Sequence, residues 1–456
     1  MIRELRLANF KAWPELHMPL APITGIFGAN SSGKSSVLQA LLLLKQSLES
    51  ADRSLPLHFG DERDYAEMGT FADVIHGHVA DKGIDFGLTW DLPEQLTIED
   101  PENPDRDPLA HGDQIVFSTS IVDEGDGATV RTISYTLGPM RSVLSRMADG
   151  IHYELAITGA RNGYRLTRTQ GRPWDLPRPI KFHGFPDQAM TYFQNTGFLP
   201  DLQLNLEGLF AQVRYLGPLR EQPRRRYVWS GGEPLDMGRR GERTVDAILA
   251  RGKQATYSLG KGRRRQTLEQ RIAHWLRELG LIHSFKVSPI WKGTNLYQVK
   301  VRREPRSTEV LLTDVGFGVS QILPVIALCY YVPEGSTVLL EQPDIHLHPA
   351  VQMGLADVFI DAMQTRKVQI ILESHSEHLL LRLQRRLAEG GLNKSDAALY
   401  FCESGPGSAA RLRTLTVDDA GNITNWPKDF FGDRFGEVAA QQKAALKQQV
   451  ARESTE

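Results

Sequence analysis

The chain has 456 residues, of which 41% are hydrophobic and 24% charged, with a formal net charge of −2 and a pI near 6.7. That length suits two or three lobes with ordinary globular cores. The near-neutral balance excludes a chain that binds nucleic acid over its whole surface, so any such contact must be a local patch. The two cysteines, Cys329 and Cys402, lack metal-ligand spacing and fit a reducing cytosol.

The first residues alternate, with Ile2, Leu5 and Leu7 leading into Asn9, Phe10 and Lys11, which reads as a strand entering a turn. Charges inside this stretch argue against a signal peptide. Ile23, Ile26 and Phe27 then read as a buried parallel strand. The string GANSSGKSS follows, from Gly28 through Ala29, Asn30, Ser31, Ser32, Gly33, Lys34 and Ser35 to Ser36. It fits the phosphate-loop pattern G-x-x-x-x-G-K-[ST], in which glycines let backbone N–H groups point at a triphosphate. Lys34 is expected to reach the β/γ-phosphates and the Ser35 hydroxyl to ligate Mg²⁺. The apolar run Val37 to Leu44 predicts a buried helix whose N-terminus faces the same anion.

Gly69 to Ile75 predicts a turn with a short helix. From 83 to about 212 short alternating runs predict an antiparallel β-rich insertion. Within it, the acidic, proline-rich stretch Ile98 to Asp113 reads as a mobile loop. From 213 to 307 the chain turns basic, with Arg220, Arg224, Arg225, Arg226, Arg239, Arg240, Arg243 and the run Lys261 to Arg265, interleaved with Tyr215, Tyr227, Trp229 and Tyr257. Leu268, Ile272, Trp275, Leu276 and Leu279 have helical spacing, so this stretch is expected to be a basic helical lobe. It could hold phosphates and stack bases, or form a solvated or intersubunit face.

Signals of helix and buried strand return from 308 to 402. Thr313, Gly316, Gly318 and Ser320 lie in a glycine-serine loop that opens a helix, a second anion-binding device. Two such devices imply either two bound phosphates or one offered to a second subunit. Ile322 to Val332 is too short for a membrane span and reads as a core helix. Val338 to Leu340 form an apolar strand ending in Glu341, Gln342, Pro343 and Asp344, the Walker B pattern that brings an acid to Mg²⁺. Ile370 to Leu372 form another, ending at Glu373, Ser374 and His375, where a histidine can contact a γ-phosphate. His346 and His348 sit in a loop and read as structural rather than metal-binding. The segment 403–456 is expected to be a polar extension that frays after Glu437.

This order of motifs resembles the ABC/SMC-type ATPase heads, and more closely the ATPases allied to OLD-family nucleases and to anti-phage ATPases of the Septu and PARIS type. The strings DVGFGVSQILP, LLEQPDIHLHP and ESHSEHLLLRL, with YLGPLR (Tyr215 to Arg220) and NWPKDFF (Asn425 to Phe431), are similar to one subfamily of these. The resemblance implies an α/β P-loop head of mixed and parallel sheet flanked by helices, built from an N-terminal segment (residues 1–82) and a C-terminal segment (residues 308–402). It implies ATP with Mg²⁺ held by Ser35 and Glu341, and ATP sandwiched in a homodimer or higher oligomer. There Thr313 or Ser320 would touch the partner's γ-phosphate, and His375 would match the switch histidine. Gln342 stands where the family carries a catalytic glutamate. Glutamine cannot accept a proton, so slow hydrolysis is expected, with Asp344 as a possible substitute. The implied role is a cytoplasmic switch that controls a separately encoded nuclease or toxin in anti-phage defence. A repair-type head binding DNA or RNA through 220–265 is the alternative, and a transporter subunit is a weaker one. No membrane partner is expected.

Overall fold

The computed structural model describes all residues except 80–81, 104, 126, 173–174, 252–255, 258–264, 406–408, 428–440 and 442–456. The expectations for Lys261 to Arg264, for the end of NWPKDFF and for most of the tail therefore lie outside the described residues.

In chain order, β1 (Ile2–Phe10) and β2 (Trp13–Pro19) form a hairpin, and β3 (Ile23–Gly28) runs into α1 (Lys34–Glu49). The short α2 (Phe71–Val74) precedes β4 (Ile84–Ile98), β5 (Ala110–Asp123), β6 (Ala128–Leu137), β7 (Met140–Arg146) and β8 (Tyr153–Thr158). Then come α3 (Ala189–Tyr192), α4 (Leu199–Ala211), β9 (Val213–Leu216), β10 (Tyr227–Val228), α5 (Thr244–Arg251), β11 (Thr256–Tyr257) and β12 (Gln266–Thr267). They lead to α6 (Leu268–Glu278), β13 (Ser284–Pro289), β14 (Leu296–Arg302) and β15 (Val310–Leu311). The chain continues through α7 (Phe317–Tyr331), β16 (Thr337–Glu341), α8 (Pro349–Arg366), β17 (Gln369–Glu373), α9 (Glu377–Ala388), β18 (Ala397–Ser404) and β19 (Ala410–Thr414).

Two large sheets organise these elements. One has the order β19-β18-β3-β17-β16-β9, parallel from β18 to β9. Both of its faces are covered, so its strands are apolar without a break. On one face Ile26, Leu339 and Ile371 share a core with the leucines of α1. On the other, Ile23, Phe27, Val338, Leu340, Ile370 and Leu372 share a core with α7, α8 and α9. The fold is thus α/β, a largely parallel sheet flanked by helices.

The other sheet is antiparallel, with order β2-β1-β4-β5-β6-β7-β8. The β-rich stretch from residue 83 is therefore continuous with the first two strands, through pairs such as Leu5 with Leu88. Alternate residues along it, such as Ile115, Phe117 and Ile121, face the α1 core. The expected mobile loop Ile98 to Asp113 is shorter than expected. Ile98 pairs with Ala110 and Leu96 with Gly112, so both ends are drawn into the strands by ladder hydrogen bonds. The segment 213–307 also holds more strand than expected. Helices α5 and α6 pack with a small sheet of β10, β14 and β13, with β15 on β14.

Candidate nucleotide site

Parallel pairing places the C-terminal ends of β3, β17 and β16 on one edge, where open α/β sheets bind ligands. The loop after β3 has the backbone that its glycines permit. Gly28 has φ 144° and Gly33 φ 91°. A Cβ on Gly28 would lie 2.4 Å from the Cys402 carbonyl oxygen, and one on Gly33 would lie 2.8 Å from Ala410 Cβ. Ala29, Asn30 and Ser31 are exposed and Ser32 is buried, with its hydroxyl unpartnered among the described residues. The Trp13 indole N–H donates to the Gly33 carbonyl at 3.0 Å and fixes the loop's end. Lys34 is buried and donates to the Ala29 carbonyl at 2.6 Å. Burial pulls its pKa down, against the opposing pull of Glu373.

Register brings two carboxylates side by side: Glu341 pairs with Glu373, and Glu373 with Ile26 of β3. Burial and its neighbour Glu373 push Glu341 up to about 7, although a hydrogen bond from Tyr215 and the charges of Arg220 and Lys11 oppose this. Burial also raises Glu373, against hydrogen bonds from Ser35 and Gln342 and the charge of Lys34. The Ser35 hydroxyl thus meets Glu373, while Glu341 stands one strand further out. Glu373 Oε2 is buried and unpartnered among the described residues. Two repelling carboxylates, one with an orphaned oxygen, beside a hydroxyl suit a hard divalent cation. Among the described residues no cluster of three His, Cys, Asp or Glu could hold a metal. Such a cation would therefore complete its shell with phosphate and water oxygens, as Mg²⁺ does.

The turn after β16 is tight. Gln342 has φ 43°, and its N–H donates to the Glu373 carbonyl at 2.9 Å. Its side-chain amide also bonds to Glu373. Asp344 is almost fully buried, and burial raises its pKa against a hydrogen bond from Ser374. Its Oδ1 has no partner among the described residues. His375 hydrogen-bonds the Gly28 backbone, while burial and Lys34 lower its pKa. His346 packs edge-on against Phe317, and His348 caps α8 by accepting from Ala350 N–H at 3.3 Å.

The glycine-serine loop opens α7 beside the turn that follows β16. Gly316 is exposed with open space at its Cβ position, and a Cβ on Gly318 would meet Leu347 at 3.8 Å. The Ser320 hydroxyl is buried and donates to the Phe317 carbonyl at 2.7 Å. The Thr313 hydroxyl is half-exposed and donates to Asp314 at 3.1 Å. Of the two candidate hydroxyls, Thr313 is the more accessible.

Sequence reasoning gave Glu373 no role, and read Tyr215 and Arg220 as part of the basic, base-stacking stretch rather than of this edge. Glu373 ends its apolar strand at the same place as Glu341 does, a signal that was legible. Tyr215 and Arg220 gather here because β9 lies next to β16. Arg220 is buried, and burial lowers its pKa to about 10. Others in the basic stretch are already engaged: Arg224 with Glu221 at 2.7 Å, Arg225 with Asp314 at 2.8 Å, and Arg239 with the Asp64 carbonyl at 2.8 Å.

A family model described as "AAA domain, putative AbiEii toxin, Type IV TA system" matches residues 23–129 and 153–382. A second, described as a protein of unknown function (DUF3696), matches residues 392–441. No curated protein matches. Among solved structures, an SMC head bound to the C-terminal winged-helix domain of ScpA is 12% identical, with TM-score 0.46, covering 92% of this chain and 98% of that one. The SMC head domain from Thermotoga maritima is 10% identical, with TM-score 0.42, covering 91% and 99%. An SMC head with an extended coiled coil, bound to the C-terminal domain of ScpA from Pyrococcus furiosus, is 10% identical, with TM-score 0.44, covering 91% and 96%.

Proposed function

The chain belongs to the AAA-domain family whose model spans residues 23–129 and 153–382, and from that premise we propose that it is an ATP-dependent switch that hydrolyses ATP slowly and pairs with a second copy around the nucleotide. The observation that carries the reading is the convergence on one sheet edge of the Gly28–Ser36 loop, the Glu341–Glu373 pair and His375.

The loop amides and Lys34 bind the β/γ-phosphates at the start of α1. Ser35, Glu373 and Glu341 would hold Mg²⁺, which would supply charge neutralisation at the phosphates. Gln342 uses its amide to hold Glu373 in place. Asp344, whose Oδ1 has no partner among the described residues, is the group left to take a proton from the attacking water. His375 bridges the loop backbone and the end of β17, so it can respond to the γ-phosphate. No helix among the described residues is long and apolar enough to cross a membrane.

The switch acts on a separate effector protein in anti-phage defence; the toxin–antitoxin wording of the family description supports this direction. The nucleic-acid reading through 220–265 has less support, because Arg220, Arg224, Arg225 and Arg239 are buried or engaged within the chain. Light scattering with a non-hydrolysable ATP analogue tests the pairing. The wild type should double in mass. Gly316→Glu should bind the analogue with affinity within about twofold and stay monomeric, because the change places a charge at an exposed helix start without touching the phosphate loop. An unchanged mass increase in that variant would remove the glycine-serine loop from the interface.

A further inference from the structure

A cavity of about 360 Å³ lies at the end of α1 opposite the phosphate loop. Helix α1 has 16 residues, so the two sites are separated by about 24 Å of helix. Lys45, Leu48 and Glu49 of α1 line the cavity together with the Ile180–Gly184 turn and Phe210 and Ala211 of α4.

The floor and the rim of this cavity differ in charge. On the floor, Lys45, Lys181 and His183 are 2%, 7% and 3% exposed. At the rim, the side chains of Glu49, Asp187 and Glu207 are 50%, 72% and 49% exposed. Solvated carboxylates neutralise little, whereas a buried ammonium without a counter-charge is costly. Lys181 is buried with only the more distant charges of Glu207 and Asp52 opposing that cost. Its Nζ donates to the carbonyls of Leu48 and Ser50, both at 2.6 Å. Among the described residues no carboxylate lies within ion-pair distance of it.

The turn that carries Lys181 is firmly built. Ile180 and Gly184 exchange backbone hydrogen bonds at 2.9 and 2.8 Å, and Phe182 between them is buried against Phe117. Lys181 itself has φ 50°, a left-handed backbone that costs free energy and persists where surroundings enforce it. His183 Nε2 donates to Glu207 at 3.0 Å, and its carbonyl accepts from the Tyr135 hydroxyl at 3.0 Å. His183 Nδ1 is buried without a partner among the described residues.

We propose that this cavity binds a small oxyanion of the phosphate class, separately from the nucleotide. Lys45 donates to Glu49 and to the Phe210 carbonyl and lies over the Tyr65 ring at 5.2 Å, while Lys181, with two acceptors among the described residues, retains one N–H. His183, whose Nδ1 is buried without a partner among the described residues, belongs to the same lining. Leu48, Ile180, Phe210 and Ala211 offer an apolar wall for the organic part of a phosphate ester.

Calorimetry at constant ionic strength, with inorganic phosphate and with glycerol phosphate, tests the site. Lys34→Ala is the background, so that the phosphate loop does not contribute. One saturable site should remain in it. Adding Lys181→Met should weaken that site tenfold or more. Ala211→Trp, which fills the cavity from an exposed helix position, should abolish binding with the melting temperature unchanged, and it decides the matter if Lys181→Met fails to fold. Tighter binding of the ester identifies an esterified occupant, and equal binding identifies free phosphate; both carry the phosphate chemistry proposed. Absence of saturable binding in Lys34→Ala, or binding that Ala211→Trp leaves intact, overturns the site.

Discussion

The two large sheets carry different kinds of information. In the parallel sheet, β3, β16 and β17 are apolar almost throughout, and Gly28, Glu341 and Glu373, three of the groups proposed to act on the nucleotide, stand at the ends of these runs. In the antiparallel sheet, strands such as β5 alternate between buried and less buried positions, as from Ile115 to Ile121. The first sheet is covered on both faces, so only its C-terminal edge is free for polar chemistry. The second has one face toward the core, so its sequence is occupied by packing. The contrast predicts that substitutions at the parallel edge change nucleotide chemistry with modest effect on stability. Substitutions in the antiparallel sheet should do the reverse.

The largest effect is expected from the water-activating group. Asp344→Asn should slow single-turnover hydrolysis by about 10²–10⁴-fold, the usual worth of general-base help. Gln342→Glu should give no gain, because it replaces the amide bonded to Glu373 with a second negative charge. If Gln342→Glu speeds turnover and Asp344→Asn does not slow it, the two roles have been exchanged.

Next is Lys34→Ala. Loss of a buried, hydrogen-bonded charge costs about 2–5 kcal/mol, roughly 30- to 5,000-fold in Kd. Titration with a fluorescent ATP analogue reads it, and retained affinity would remove the phosphate-loop role. Glu373→Gln should weaken Mg²⁺ dependence by roughly 10- to 100-fold, visible as a higher Mg²⁺ concentration for half-maximal hydrolysis. A normal Mg²⁺ titration would place the cation on Glu341 alone.

The smallest effect on nucleotide chemistry is expected from Phe117→Ala in β5. Phe117 is fully buried against Tyr135 and Phe182. The change should cost about 3–5 kcal/mol of stability while ATP affinity at low temperature stays within about twofold. A large loss of ATP affinity in the folded variant would show that the two sheets do not divide their work in this way.

Much of the nucleotide edge was legible before the structure. GANSSGKSS between an apolar strand and an apolar helix needs only local patterns, and β3 and α1 lie where those patterns put them. The ends of β16 and β17 were legible for the same reason. Glu373 had the same signal as Glu341, but its weight came from pairing register, which sets it between Ser35 and Glu341. The stretch from 213 was harder. The helical spacing of Leu268, Ile272, Trp275, Leu276 and Leu279 pointed to a helical lobe, while short strands such as β10 and β15 have too few residues for a period to be read.

By itself the sequence determined the local elements and the residue types at their ends, because helix and strand periods and glycine-dependent turns are properties of a few adjacent residues. Tertiary structure alone decided that β9 flanks β16 and so brings Tyr215 and Arg220 to Glu341. It alone joined β1 to β4 across more than seventy residues, and set Lys45, Lys181 and His183 around one cavity. Those arrangements depend on which surfaces exclude water together. Burial of apolar area has no direction along the chain, so it leaves no period in the sequence from which the partners could be read.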